Sequence, residues 1–344
     1  MLLKILVLVL AFGLWAAPAA ADIISGCVQE RDQDLRIQGC TAVIKKSSQA
    51  GKLASAYNNR GNAYVNKGQY DRAIEDYNRA IVSDPKDKAA YNNRGNAYAK
   101  KGQYDRAIED FDHAIALDPQ YAAAYYSDRG IAYDHKGQYD RAIEDYDRAI
   151  ALDPKYADAY NNRGHAYDDK GQYDRAIEDF DRAIALDPKD SFAYNNRGNA
   201  YVKKAQYDRA IEDYDRVITL DPKYADAYSN RGKAYADKEQ YDKAIADDTR
   251  SIALLPDKAG YYNTRCWHRV LSGDLQNALE DCNRSLELNS ENAYANSIRA
   301  YINEKLNNLD AAEKDYRKAL ALDPEMKSSV EGLARVLKAL GKTQ

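Results

Sequence analysis

The chain has 344 residues, 45% of them apolar, enough for a sizeable folded body if the apolar positions recur regularly. Its 50 basic and 54 acidic residues are interleaved and leave a net charge of −4, which argues against a nucleic-acid protein with a basic face. Thirty Tyr stand against 4 Phe and 2 Trp, while Gly and Pro are sparse and evenly spaced.

Residues 1–21 read as an export signal. Lys4 supplies the positive start, Ile5–Trp15 the apolar stretch, and Ala19-Ala20-Ala21 a small-residue cleavage site before Asp22. An anchor helix is the rival reading, but the apolar run is short for a span of about 20 residues. All four cysteines, Cys27, Cys40, Cys266 and Cys282, lie beyond the cleavage site. An even number in an exported chain permits two disulfides, most simply Cys27–Cys40 and Cys266–Cys282. For the second pair, which falls on the two helices of one repeat with a facing about a turn off, two small core residues are the other reading. Ile24-Ser25-Gly26-Cys27 also resembles a bacterial lipobox, which would lipidate Cys27 and anchor the chain. Against that, Asp22 and several alanines separate it from the apolar stretch, and lipidation would leave Cys40 without a partner. Residues 22–53 form a capping segment, with a helix expected through Leu35–Lys46.

From residue 54 the chain repeats itself. Arg60-Gly61 returns as Arg94-Gly95, Arg129-Gly130, Arg163-Gly164, Arg197-Gly198 and Arg231-Gly232, with degenerate copies at Arg265-Cys266 and Arg299-Ala300. Every step is 34 residues except one of 35, whose extra residue lies near Tyr125. Such a period signals stacked supersecondary units. Each unit reads as two helices. In the first copy Tyr57, Gly61 and Tyr64 share a face, Lys67-Gly68-Gln69 breaks the run, and Ala73, Ile74, Tyr77, Ala80 and Ile81 follow at helical spacing. Asp84-Pro85 closes the second helix, because the residue before proline is disfavoured in the α region.

The recurring Tyr57, Gly61, Tyr64, Ala73, Tyr77 and Pro85 resemble the tetratricopeptide repeat pattern of an aromatic, a glycine, a tyrosine, an alanine, an aromatic and a proline at fixed offsets. The resemblance covers residues 54–324 in eight copies. It implies an all-α, right-handed superhelical solenoid of helix-turn-helix repeats. The last two copies drift, with Cys266 and Ala300 at the glycine and Ser290 at the proline. Residues 325–344 carry a capping helix with Val330, Leu333, Val336, Leu337 and Leu340 on one face. Solenoids need such ends, since each repeat buries its face only against a neighbour.

Where the family usually has leucine this chain has arginine, and an aspartate follows 16 residues later. The pairs are Arg60/Asp76, Arg94/Asp110, Arg129/Asp145, Arg163/Asp179, Arg197/Asp213, Arg231/Asp247, Arg265/Asp281 and Arg299/Asp315. Both members fall on packing stripes. A buried lone guanidinium is very costly, whereas a hydrogen-bonded Arg–carboxylate pair is tolerable. The structural reading is a ladder of ion pairs within repeats or between neighbours; the functional reading is an anion grip.

The resemblance further implies that the first helices line a concave groove that holds a partner segment. Asn58, Asn92, Asn161, Asn195 and Asn263 fall on that face, flanked by Asn59, Asn93, Asn162, Asn196 and Asn230. Carboxamides can donate to and accept from an extended backbone at once, although asparagine could also recur only because the repeats are copies of one unit. One turn on, the side chains diverge as Asn62, Asn96, Ile131, His165, Asn199, Lys233, Trp267 and Tyr301. Asp134, Asp168 and Asp169 make the middle of this face acidic. Lys203, Lys204, Lys233, Trp267 and Tyr301 make its later part basic and aromatic.

His113, His135, His165 and His268 show no ligand spacing, and no phosphate-cradling loop or nucleophile elbow occurs. Once repeats and caps are assigned, no catalytic domain has room. The expectation is an exported, periplasmic, non-enzymatic scaffold without cofactor or metal, binding a protein or peptide rather than nucleic acid or a small-molecule substrate. A self-associating envelope component is the alternative.

Overall fold

The computed structural model describes residues 27–28 and 31–342, and its regular elements among those residues are all helices. The expected signal, residues 1–21, lies outside the described residues. The chain forms two compact units that divide between Pro154 and Lys155. The first holds α1 (Gln33–Lys46), α2 (Ala50–Asn66), α3 (Tyr70–Ser83), α4 (Lys88–Lys100), α5 (Tyr104–Leu117), α6 (Ala123–His135) and α7 (Tyr139–Leu152). The second holds α8 (Ala157–Asp169), α9 (Tyr173–Leu186), α10 (Ser191–Lys203), α11 (Tyr207–Leu220), α12 (Ala225–Asp237) and α13 (Tyr241–Leu254), then α14 (Ala259–Ser272), α15 (Leu275–Leu288), α16 (Ala293–Lys305), α17 (Leu309–Leu322) and α18 (Lys327–Ala339). Within each unit consecutive helices pack as hairpins, and each hairpin packs on the next, an all-α helical repeat fold. The extra residue of the 35-residue step falls in the connection 118–122, one longer than the connection 84–87.

The hairpin turn is set by a residue at positive φ just past the first helix. Gly68, Gly102, Gly137 and Gly171 take φ of 69–72°, and the amide of the next residue returns to the last turn, as Gln69 N donates to Tyr64 O. Glycine suits this left-handed stop because it has no Cβ. In three later repeats Ala205, Glu239 and Asn307 hold the same position at φ of 55–62°. Six of the eight second helices stop at Asp-Pro, with Asp84 N still reaching Ala80 O; the sixth stops at Leu255-Pro256 and the seventh at Asn289-Ser290.

Inside a hairpin, contacts run between residues 16 apart. A Cβ on Gly61 would lie 2.6 Å from the ring of Tyr77, and one on Gly198 2.7 Å from that of Tyr214. The glycine therefore lets a ring lie flat on the opposing backbone, and Tyr77, Phe111, Tyr146, Phe180 and Tyr214 are almost wholly buried there. In the seventh repeat the same two positions hold Cys266 and Cys282, which pair as a disulfide with Cα atoms 5.5 Å apart. The earlier pair Cys27–Cys40 is likewise placed as a disulfide, at 4.5 Å. The sixth repeat has Asp248 in place of the ring, and the next has His268 in place of a small alanine. Their side chains meet at 2.6 Å, with both residues buried. Burial pushes the Asp248 carboxyl up, against the pull of His268.

The arginines share the 16-residue register. Each donates Nε and Nη2 to the two carboxylate oxygens of its aspartate, for example Arg94 to Asp110 at 2.8 and 2.6 Å and Arg163 to Asp179 at 2.8 and 2.6 Å. The Arg60–Asp76 pair is 2.7 Å at both contacts, with the guanidinium 15% and the carboxylate 5% exposed. The third nitrogen reaches back to the preceding hairpin or cap. Arg60 Nη1 donates to Thr41, Arg94 to Asn78, Arg197 to Asp181, Arg265 to Thr249 and Arg299 to Asn283, at 2.5–3.0 Å. Arg129 and Arg231 meet Asp112 and Asp215 in the same way. One side chain thus clamps a hairpin and ties it to its neighbour. The bonds from Asp76 hold the Arg60 guanidinium above the usual arginine range, so it stays charged.

Arg94→Leu should lower stability by about 3–5 kcal/mol, since it strands a buried carboxylate, and Asp110→Leu added to it should recover much of that loss. Urea titration of the single and double variants checks this; a double variant no more stable than the single one rules out the pairing. Conversely, Ala205→Gly should stabilise by about 1 kcal/mol by relieving the left-handed backbone, and Gly171→Ala should destabilise. Melting curves that move the other way for either variant contradict the turn geometry.

Candidate functional site

The asparagine face folds as bonded steps rather than as a free row. Asn93 Nδ2 donates to Asn58 Oδ1 at 3.0 Å in the first unit. In the second, Asn196 donates to Asn161 and Asn230 to Asn195, both at 3.2 Å. Each step consumes one carbonyl and one amide N–H, and leaves the amide of the lower asparagine and the carbonyl of the upper one over. Asn92 and Asn96 are drawn elsewhere: both Nδ2 groups donate to Asp128 Oδ2, at 3.0 and 2.9 Å. Burial pushes the Asp128 carboxyl up while those two amides pull it down. Stacking thus puts neighbouring first helices within hydrogen-bonding reach, so part of the donor and acceptor capacity of these carboxamides is spent inside the protein. Asn59 and Asn162 are half-buried on the same helices.

One turn on, a tyrosine hydroxyl fixes the polarity of the asparagine. Tyr77 donates to Asn62 Oδ1 and Tyr214 to Asn199 Oδ1, each at 2.7 Å. Burial raises both tyrosines well above their ordinary range, so each keeps the proton that it donates here. The Nδ2 groups of Asn62 and Asn199 are thereby left as the free donors. Asn96 faces Phe111, which has no hydroxyl, and it turns its amide to Asp128 instead.

In the second unit these groups border a cleft of about 270 Å³. Helices α8, α10 and α12 supply its walls through His165, Asp168, Asn196, Asn199, Lys203, Asn230 and Lys233, and Phe180 and Tyr214 lie beneath. Lys203 is not free cationic surface: its Nζ lies 2.6 Å from Asp168 Oδ2. Lys204 likewise pairs with Asp174, and His165 Nδ1 lies 3.4 Å from Asp169. The basic stretch expected along the later face is thus largely cancelled by acids one repeat earlier. Lys233 is exposed and makes no ion pair among the described residues, although its charge acts on Asp226.

A second cleft of about 310 Å³ lies near the C-terminal end of the same unit. Trp267 from α14, Tyr294, Ile298 and Tyr301 from α16, Tyr316 from α17, and Glu331 and Arg335 from α18 line it. Trp267 also packs on the Cys266–Cys282 cluster, so it serves the core and the cleft together. Tyr294, Glu331 and Arg335 were not singled out from the sequence. Tyr294 precedes the divergent position by seven residues, and the capping helix has no repeat register to read. Gly332 lets α18 approach: a Cβ there would lie 2.2 Å from Tyr316 Cζ.

Models described as tetratricopeptide repeat match residues 58–122, 157–190, 180–212, 225–254 and 269–327, and one described as TPR repeat matches 130–169 and 198–239. The chain belongs to the tetratricopeptide repeat family. No curated protein matches it. Among solved structures, a tetratricopeptide repeat protein from Parabacteroides merdae is 19% identical over 73% of this chain and 98% of that one, with a TM-score of 0.58. The Cut9-Hcn1 hetero-tetramer of the APC/C gives a chain 14% identical, covering 93% of this chain and 86% of its own, at 0.56. The pilF protein of Pseudomonas aeruginosa is 19% identical over 62% and 96%, at 0.54. These likenesses show the fold. Tetratricopeptide repeat proteins are in general non-enzymatic scaffolds that bind protein or peptide partners.

Proposed function

We propose that this tetratricopeptide repeat protein captures an extended polypeptide segment along the first helices of its second unit, in the cleft bordered by Asn196, Asn199, Asn230 and Lys233. The observation that carries this reading is the leftover polarity of the asparagine steps. Asn199 keeps its Nδ2 donors because Tyr214 occupies its carbonyl, while Asn230 keeps an acceptor because its Nδ2 is spent on Asn195. An extended backbone presents N–H and C=O groups in alternation, so donors and acceptors set side by side suit it better than a single charge would. Lys233 adds an unpaired cation for an acidic side chain of the segment.

The test is a photo-crosslinking residue placed at Asn199 and, as control, at Val82, which is 82% exposed on a second helix. In cells, the residue at 199 should join a segment of another protein, mapped by mass spectrometry, and the residue at 82 should not. Adducts only with further copies of this chain, equal labelling at both sites, or none at 199 would overturn segment capture; the first would favour self-association.

We further propose that the chain works after export, in an oxidising compartment such as a periplasm. Two cysteine pairs positioned as disulfides support this, since such bonds persist outside reducing cytosol. Pairing uses the Cys27 sulfur, which a lipid anchor would also need. The purified chain should therefore begin at Asp22, carry both disulfides and lack acyl mass; a chain with reduced thiols or a lipidated Cys27 would show the proposal wrong by intact-mass measurement.

A further inference from the structure

We infer that the C-terminal cleft of the second unit is a subsite for a cationic side chain, an arginine or lysine of the captured segment. This rests on the segment-capture reading and adds the chemistry of one of its residues. The walls are aromatic: Trp267, Tyr294 and Tyr301 line the cleft together with Tyr316 and the apolar Ile298. Tyr294 is 50% exposed although it stands on a helix whose other large apolar residues are covered.

The charges around the cleft decide between an apolar and a cationic occupant. Arg335 is already matched. Its Nε and Nη2 donate to the two oxygens of Glu304 at 2.7 and 3.0 Å, and the same carboxylate accepts from Tyr316 OH at 2.8 Å. The hydrogen bonds from Arg335 draw Glu304 below its ordinary range, so the pair stays ionised and neutral overall. Glu331, one turn earlier on α18, lines the cleft, is exposed and has no hydrogen-bonding or ion-pair partner among the described residues. The one unmatched charge on the lining is therefore negative. Aromatic faces attract a cation through their quadrupole, and a carboxylate at the rim gives that cation a counter-ion. Lys305 shows the attraction in place, with its Nζ 5.3 Å from the Tyr301 centroid. A basic side chain would lay its aliphatic stem on Trp267 and Ile298 and carry its charge to Glu331. A purely apolar side chain would fill the space but leave Glu331 unanswered, and an acidic one would face it in repulsion.

The chain holds 2 Trp, and the purified chain beginning at Asp22 lacks Trp15, so Trp267 is its sole reporter. In that chain N-acetyl-argininamide should change the Trp267 fluorescence saturably, and N-acetyl-leucinamide at the same concentration should not. Glu331→Gln should weaken the arginine probe by about threefold, and Tyr294→Ser by a similar factor, the size of one cation–π or rim contact. Both positions are exposed, so the variants should melt with the parent. Equal or tighter binding of the leucine or a phenylalanine probe, no saturable response to the arginine probe, or an unchanged affinity in Glu331→Gln would overturn the subsite. The probe needs no partner, so this result is read independently of the crosslinking at Asn199.

Discussion

The rest of the structure depends on a contact register of 16 residues across each hairpin, held by an arginine that makes bonds in two directions. A leucine at that position would supply apolar contact on one face only. The guanidinium supplies a rigid fork to its own aspartate and, with the nitrogen left over, a bond to the hairpin before it. Because the fork is planar, the two directions are coupled: turning the head toward one partner turns it away from the other. The pairing thus fixes the angle of the hairpin and its seat on the neighbour together, which apolar packing alone specifies less sharply. Tyr91 near Arg94 and Tyr126 near Arg129 stack at 5.5 and 5.3 Å, so the buried stems are also sheltered by rings.

The same register absorbs substitutions that would otherwise break a repeat. Glycine facing a ring and cysteine facing cysteine are two ways of filling the space between positions 16 apart, and where Asp248 replaces the ring opposite Gly232 its side chain meets the bulky His268 of the next hairpin instead. Each conserves contact across the interface while changing its chemistry. The disulfide takes over at the repeat where the glycine is lost, and the buried His–Asp pair stands at the junction just before it.

Much of the fold was legible because its signals are periodic. The 34-residue step, the Asp-Pro stops and the glycine turn located the hairpins, and the Arg/Asp spacing foretold a pair that the coordinates place within hydrogen-bonding distance. The Cys266–Cys282 facing read as about one turn off, although Arg60 and Asp76 stand at the same separation; the internal ladder already contained the answer. The candidate site was less legible. Asparagine reads as a free carboxamide in sequence, but whether its carbonyl or its amide is spent depends on a residue 15 or 35 positions away, as Tyr214 and Asn230 show. The basic run at Lys203 and Lys204 likewise lost its charge to Asp168 and Asp174 of the preceding repeat.

Specificity in this chain follows from what internal bonding leaves behind. With nearly equal numbers of acids and bases, almost any face would look charged in sequence, yet many of those charges answer each other within hairpins or across repeats. On the linings of the two clefts of the second unit, Lys233 and Glu331 are the charges with no ion pair among the described residues, and they lie three repeats apart in sequence. A partner segment meets a surface where desolvating a matched pair gains little and meeting an unmatched charge gains more. Under the proposed segment capture, near-identical repeats would present a directional site: the copies build a uniform scaffold, and the few positions where pairing fails would give the bound segment an acid-seeking and a base-seeking end.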